Sequence, residues 1–197
     1  MTDVFQRMAE EYRAKGNWSG FMEIRRNIDK DRGPSALEEV PLTVPDAEYR
    51  ALVRQTYTWS HGIWENRVAW LRIFNGAQRD LGSFTAAADE LKLAKMPDPL
   101  VIYRGCCEHN QQGFSWTLDR QRAERFAAFS QEHSKAIQRI IISGKIVHAR
   151  ISAYVTIRNE EEIVALPEHV TQQQLDDITH LPFMTESMIK KLGKDSK

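Results

Sequence analysis

Three groups of different chemistry lie on or beside short apolar runs between Leu100 and Glu162. A guanidinium, Arg104, follows Leu100-Val101-Ile102-Tyr103 and precedes Gly105. Its planar fork at a strand end suits a diphosphate, and Gly105 lets a ligand approach the backbone. A hydroxyl pair, Ser115 and Thr117, stands two residues apart. Both therefore face one side of a strand, with Phe114 and Trp116 on the other. Such a pair can orient a carboxylate or bond a sugar. Glu160, Glu161 and Glu162 precede the apolar run Ile163-Val164-Ala165-Leu166. In an extended chain Glu160 and Glu162 point the same way, and two like charges on one face are unfavourable unless cations or hydrogen bonds compensate. Each group alone has a plainer reading: a paired arginine, a solvated polar face, an acidic turn that discourages edge aggregation. Together they are read as one cleft for a phosphorylated, glycosidic substrate.

The rest of the chain has to position that cleft. Its 197 residues suit one domain, or one domain with a large appendage. Lys plus Arg and Asp plus Glu both number 27, so the net charge is zero. A dedicated duplex-DNA binder would carry a basic excess. The two cysteines, Cys106 and Cys107, are adjacent; they suit neither an unstrained disulfide nor metal ligation. A nucleophilic cysteine with His109 or His148 as base has no supporting pattern. Free thiols, no secretory leader and no membrane-length apolar run lead us to expect a cytoplasmic protein with no membrane partner.

Residues 1–99 read as helical. Met1 to Arg26 has loose helical spacing, and 29–45, with Gly33, Pro34, Pro41 and Pro45, reads as a linker or irregular loop. Asp46 is the expected N-cap of a helix with Tyr49, Leu52, Val53 and Tyr57 on one face. Trp64, Val68, Leu71, Trp70, Ile73 and Phe74 form a second helix. Ser83 caps a third, with Phe84, Ala87, Ala88 and Leu91 inward, ended by Pro97 and Pro99. Trp59, His61, Trp64 and Trp70 suggest a base-stacking surface, but aromatics at helical spacing are more often core.

Residues 100–185 read as strands around one helix, and 186–197 as a frayed tail. Strands are expected at Leu100–Tyr103, Phe114–Thr117, Gln138–Ile142, Lys145–Ala149, Ala153–Ile157 and Ile163–Leu166. Asp119 caps a helix with Ala123, Phe126, Ala127 and Ser130 on one face. Ser143-Gly144 reads as a tight turn, and Thr171 to Ile178 as a short helix. No alternating βαβ rhythm, Gly-x-Gly-x-x-Gly or P-loop is present.

Tyr103-Arg104-Gly105, Gly113-Phe114-Ser115-Trp116-Thr117 and Arg158-Asn159-Glu160-Glu161-Glu162-Ile163-Val164 together resemble the Arg–Ser–Glu signature of mono-ADP-ribosyltransferases. The likeness is to the small forms of bacteriophages and bacteria, and covers the C-terminal half. It departs at Trp116, where many members have Thr. The resemblance implies an α+β fold: a split β-sheet core at 100–185 with the helical N-terminal half as a place for acceptor recognition. It implies NAD as co-substrate and no metal. Arg104 would bind the diphosphate and nicotinamide-ribose region. Ser115 would hydrogen-bond and orient Glu162, with Thr117 supporting the strand. Glu162 would bind the ribose 2′-hydroxyl and stabilise an oxocarbenium-like state. Glu160 would orient or deprotonate the acceptor. Tyr103, Gly105, Trp116 and Phe126 would line the NAD site. The acceptor implied is a protein arginine, modified by a phage product acting on host or defence proteins or by a bacterial toxin; RNA or DNA acceptors, NAD hydrolysis and a non-catalytic interaction protein are the alternatives.

Overall fold

A computed structural model of the chain describes residues 2–28, 33–60, 62–77, 79–129, 138–157 and 161–180. Arg158, Asn159, Glu160, His61, Ser130 and the tail at 186–197 lie outside the described residues. Among those described, seven α-helices and one six-stranded antiparallel sheet make an α+β chain. No described helix is long and apolar enough to cross a membrane. The chain divides into two compact units, Met1–Ala86 and Ala87–Lys197, rather than at the expected boundary before Leu100.

The first unit holds α1 (Thr2–Ala14), α2 (Trp18–Ile28), α3 (Gly33–Leu37), α4 (Asp46–Trp59) and α5 (Arg67–Phe74). Gly16, at φ +66, turns the chain between α1 and α2 in the left-handed conformation that glycine adopts without steric cost. The expected face of α4 is buried at Tyr49, Leu52, Val53 and Tyr57. Asp46 is not its cap: it is the first helical residue, and Pro45 precedes it without a side-chain bond. Of the stretch 29–45, the described residues 33–45 contribute core: α3 buries Ala36 and Leu37, and the irregular turns after it bury Val40 and Val44. Trp70 is fully buried, edge-on to Tyr57 at 5.2 Å and stacked on Phe74 at 5.5 Å. Trp59 is half-exposed beneath the Arg26 guanidinium, 5.0 Å away. Val68, expected on the inward face of α5, is 71% exposed.

The second unit contains α6 (Ala87–Leu93), β1 (Leu100–Cys107), β2 (Ser115–Thr117), α7 (Arg120–Phe129), β3 (Arg139–Ile146), β4 (Ala153–Val155), β5 (Glu162–Val164) and β6 (Thr171–Asp177). The strand order is β4-β5-β2-β1-β3-β6. One face buries Leu100, Ile102, Cys106, Trp116, Ile140, Ile142, Tyr154 and Ile163. The other carries α7, whose Ala123 and Ala127 pack on Ile141 and Tyr103. β1 and β3 pair over eight positions, but β1 and β2 share only Tyr103↔Thr117. The sheet is thus continuous and thinnest between the strands that carry Arg104 and Ser115.

Several expectations are corrected. β1 runs through Cys107, so Arg104 and Gly105 sit within a strand rather than at its end. Ser143-Gly144 is no turn: β3 passes straight through it, and a Cβ on Gly144 would overlap Val170. Glycine inside a strand here marks a close approach and a shifted register to β6. Thr171 to Ile178 is not a helix; Thr171–Asp177 supplies the outer partner of β3 as a polar, exposed edge strand. α6 begins at Ala87 and leaves Leu91 69% exposed, because its buried group is Asp89.

Gly105 has a different task from the one its sequence position suggested. A Cβ there would overlap the Ala123 carbonyl and crowd Ala127 N, so α7 lies on β1 backbone against backbone. Gly105→Ala is therefore expected to destabilise the protein by more than ~2 kcal/mol through overpacking, read by chemical denaturation. A change inside ~0.5 kcal/mol, the scatter of neutral surface substitutions, would contradict this account of the α7 contact.

Candidate functional site

The cleft forms where β1 and β2 part. It has a volume of about 190 Å³ and is lined by Tyr103, Arg104, Gly105, Asn110, Ser115, Trp116, Thr117 and Phe126. Residues opposite one another in an antiparallel sheet share a face. Tyr103 pairs with Thr117, Thr117 with Glu162, and Glu162 with Val155. One row across four strands therefore carries Tyr103, Thr117 and Glu162 on the α7 side. Ser115 joins that face two residues along β2, opposite Val164. Tyr103–Gly105, Ser115–Thr117 and Glu162–Val164, far apart in the chain, thus lie on the adjacent strands β1, β2 and β5.

Arg104 arrives differently. The uninterrupted β1–β3 register places it between Ile102 and Cys106 on the core face, opposite the face of Tyr103 and Thr117. Its guanidinium reaches the parting of β1 and β2. There Nη1 donates to the Ser115 carbonyl at 2.7 Å, and Nη2 to the Asn110 carbonyl at 2.8 Å. Both terminal nitrogens are therefore engaged with backbone, whereas the resemblance implied a phosphate for them. Asn110 is a residue the sequence reading missed. Its side chain accepts Cys107 N at 2.9 Å and its carbonyl accepts Gly113 N at 3.2 Å, so it braces the connection from β1 to β2.

In the register of β2 and β5, Thr117 lies opposite Glu162, and Ser115 lies two residues along the same face. The Thr117 hydroxyl accepts Asp119 N at 3.2 Å, and Asp119 in turn accepts Gln121 N at 2.8 Å at the start of α7. Phe126 leans over the cleft from α7 and is 46% exposed, a ring available to stack on a flat ligand. Trp116 is 2% exposed and its side chain belongs to the core cluster, which leaves little of it for a ligand.

A second cleft, about 400 Å³, shares Thr117 with the first and is lined by Lys92, Asp119, Arg122, Tyr154, Thr156 and Glu161. Asp89 stands behind it. The Asp89 carboxylate accepts Thr156 Oγ1 at 2.7 Å and Lys92 Nζ at 2.9 Å. Burial opposes its ionisation, but the bonds from Lys92 and Thr156 outweigh burial and hold its pKa below the usual value. The Tyr154 hydroxyl meets Glu161 at 3.4 Å; burial, then the Glu161 charge, push the phenol up to about 12 and keep it protonated. Residues 67 apart, such as Asp89 and Thr156, share no local pattern, so sequence spacing carried no signal of this cleft.

Both thiols are buried. Burial pushes Cys106 up to about 11, against the opposing pull of Arg104, and its thiol points at the Ile140 carbonyl. His148 sits on a turn, its ring against the Pro97 carbonyl at 3.0 Å, rather than within the expected strand.

No family model, curated protein or solved structure significantly matches the chain.

The Asp89 cluster has a defined pH signature. A carboxylate whose folded pKa is lowered contributes stability above its unfolded pKa and loses it as pH falls through the folded one. Asp89→Ala should therefore cost about 1–3 kcal/mol at pH 7 through the stranded partners. The gap from wild type should narrow as pH drops below the ordinary 3.8. Denaturation midpoints at pH 7 and at acidic pH measure it; a gap that widens in acid contradicts the assignment.

Proposed function

We propose that the chain is an NAD-dependent mono-ADP-ribosyltransferase that moves ADP-ribose to a macromolecular acceptor, with a protein arginine as the first candidate. The observation that supports it is the row Tyr103–Thr117–Glu162 across β1, β2 and β5, beside a cleft with an exposed aromatic rim. A signature read from separated segments gains weight when those segments become neighbouring strands. The first cleft alone is smaller than the roughly 300–1,000 Å³ of common ligand sites. Together with the cleft that meets it at Thr117 it offers two compartments to a two-part ligand.

In this reading the scissile bond joins C1′ of the nicotinamide ribose to the ring nitrogen. As it breaks, the electron pair leaves with nicotinamide and positive charge develops on the ribose. The Glu162 carboxylate accepts the 2′-hydroxyl and stabilises that charge. The acceptor nucleophile then bonds to C1′ and gives up its proton. Glu160 is the group that the resemblance assigns to this base step. Phe126 stacks on the ligand from α7.

A non-catalytic interaction protein is the second reading. The engagement of both Arg104 terminal nitrogens with backbone carbonyls favours it.

Labelled NAD incubated with the protein and a bacterial lysate, followed by mass spectrometry, separates the readings. The transferase reading expects label on a macromolecule, and Glu162→Gln to lower transfer by about 10²–10³ or more with the fold intact. Phe126→Ala should raise KM for NAD with little effect on stability, because the ring is half-exposed. Free ADP-ribose without labelled macromolecule indicates hydrolysis. No NAD consumption, and no effect of Glu162→Gln on partner binding, leaves the interaction reading.

A further inference from the structure

We propose that Arg104 and Gly113 form a positioning lock that sets the spacing of β1 and β2, and hence the width of the cleft, and that Arg104 is not the phosphate ligand. The proposal refines the transferase reading; only its kinetic arm rests on that reading.

Ser115 has no register partner on β1, where the only paired residue is Tyr103. Its carbonyl is tied to β1 through the Arg104 side chain instead. The same guanidinium holds the Asn110 carbonyl, which also accepts Gly113 N. One planar fork thus clamps two points of the connection between the strands. A carbonyl left without a donor at such a half-buried place costs free energy, so the fork stabilises the parted strands rather than merely tolerating them. Lysine cannot replace it, because a compact ammonium lacks the fork's reach and fixed angles.

Gly113 completes the lock. A Cβ at this position would overlap Nη2 and Cζ of Arg104, so the guanidinium occupies the volume that any other residue would fill. Gly113 lies outside the left-handed region, so what an added Cβ would disturb there is the placement of the Arg104 guanidinium. The strand face supports the same conclusion. Arg104 starts on the core side between Ile102 and Cys106, while Tyr103, Ser115, Thr117 and Glu162 face α7. The arginine therefore supports the cleft from beneath. On β2 it fixes Ser115, and with it the strand that holds Thr117 against Glu162.

The test uses Arg104→Lys and Gly113→Ala in the full chain. The first readout is hydrogen exchange at the amides of residues 113–117, with the amides of α4 as internal reference. Both variants are expected to speed exchange in that segment and leave α4 unchanged. The second readout is steady-state kinetics with NAD, with inorganic pyrophosphate as a competing probe. A lock that misplaces β2 lowers kcat by about 10²-fold, while KM and the pyrophosphate inhibition constant stay within about twofold, because binding is shared by ground and transition states. Unchanged exchange together with a raised KM and weakened pyrophosphate inhibition overturns the proposal and restores Arg104 as the phosphate ligand. Faster exchange in both variants of a protein that consumes no NAD upholds the lock and removes the transferase reading.

Discussion

Where two strands of a sheet diverge, their facing carbonyls lose ladder donors, and a half-buried carbonyl without a donor is unfavourable. This chain meets that constraint with one side chain. Arg104 reaches from the core side of β1 to the carbonyls of Asn110 and Ser115. The opening between β1 and β2 depends on that substitution of side-chain donors for ladder donors. Two glycines then make room around it: Gly113 for the guanidinium, Gly105 for the backbone of α7. An added Cβ would have to displace the Arg104 guanidinium at Gly113 or the α7 backbone at Gly105, so sterics as well as hydrogen bonds shape the cleft.

That same constraint explains which parts of the chain were legible in its sequence. Periodicity located the buried face of α4, the strand nature of β1, β2, β3 and β5, and the alternation that sends Trp116 to one face of β2 and Ser115 and Thr117 to the other, although Thr117 is itself buried. These depend on neighbours one to four residues away. Arg104 was placed correctly in a strand and wrongly at its end, because the following Gly105 reads as a breaker when its partner, α7, is unknown. Gly144 misled for the same reason, since Val170 packs over it. The polar run at 171–177 has little strand character of its own; the unpaired edge of β3 draws it into the sheet. The sequence could not say that Thr117, rather than Ser115, is the register partner of Glu162. Register is a pairwise property, and one strand's alternation cannot supply it. The Asp89–Lys92–Thr156 cluster needed two elements to meet, and nothing local announces such a meeting.

The position of Glu162 follows from these contacts. β5 is three residues long, too short to hold a carboxylate rigidly by itself. It is paired on both sides, with β2 at Thr117 and with β4 at Val155. The next residue of β4's chain, Thr156, is tied to Asp89 of α6. On the other side Thr117 continues through Tyr103 into β1, the long central strand. The carboxylate is thus the middle member of a row anchored at one end by the Asp89–Lys92–Thr156 cluster and at the other by the strand that bears Arg104. Groups carried on supported strands keep tighter geometry than groups on loops. The backbone of Glu162 is held from both sides, the property that the electrostatic role proposed for it would require.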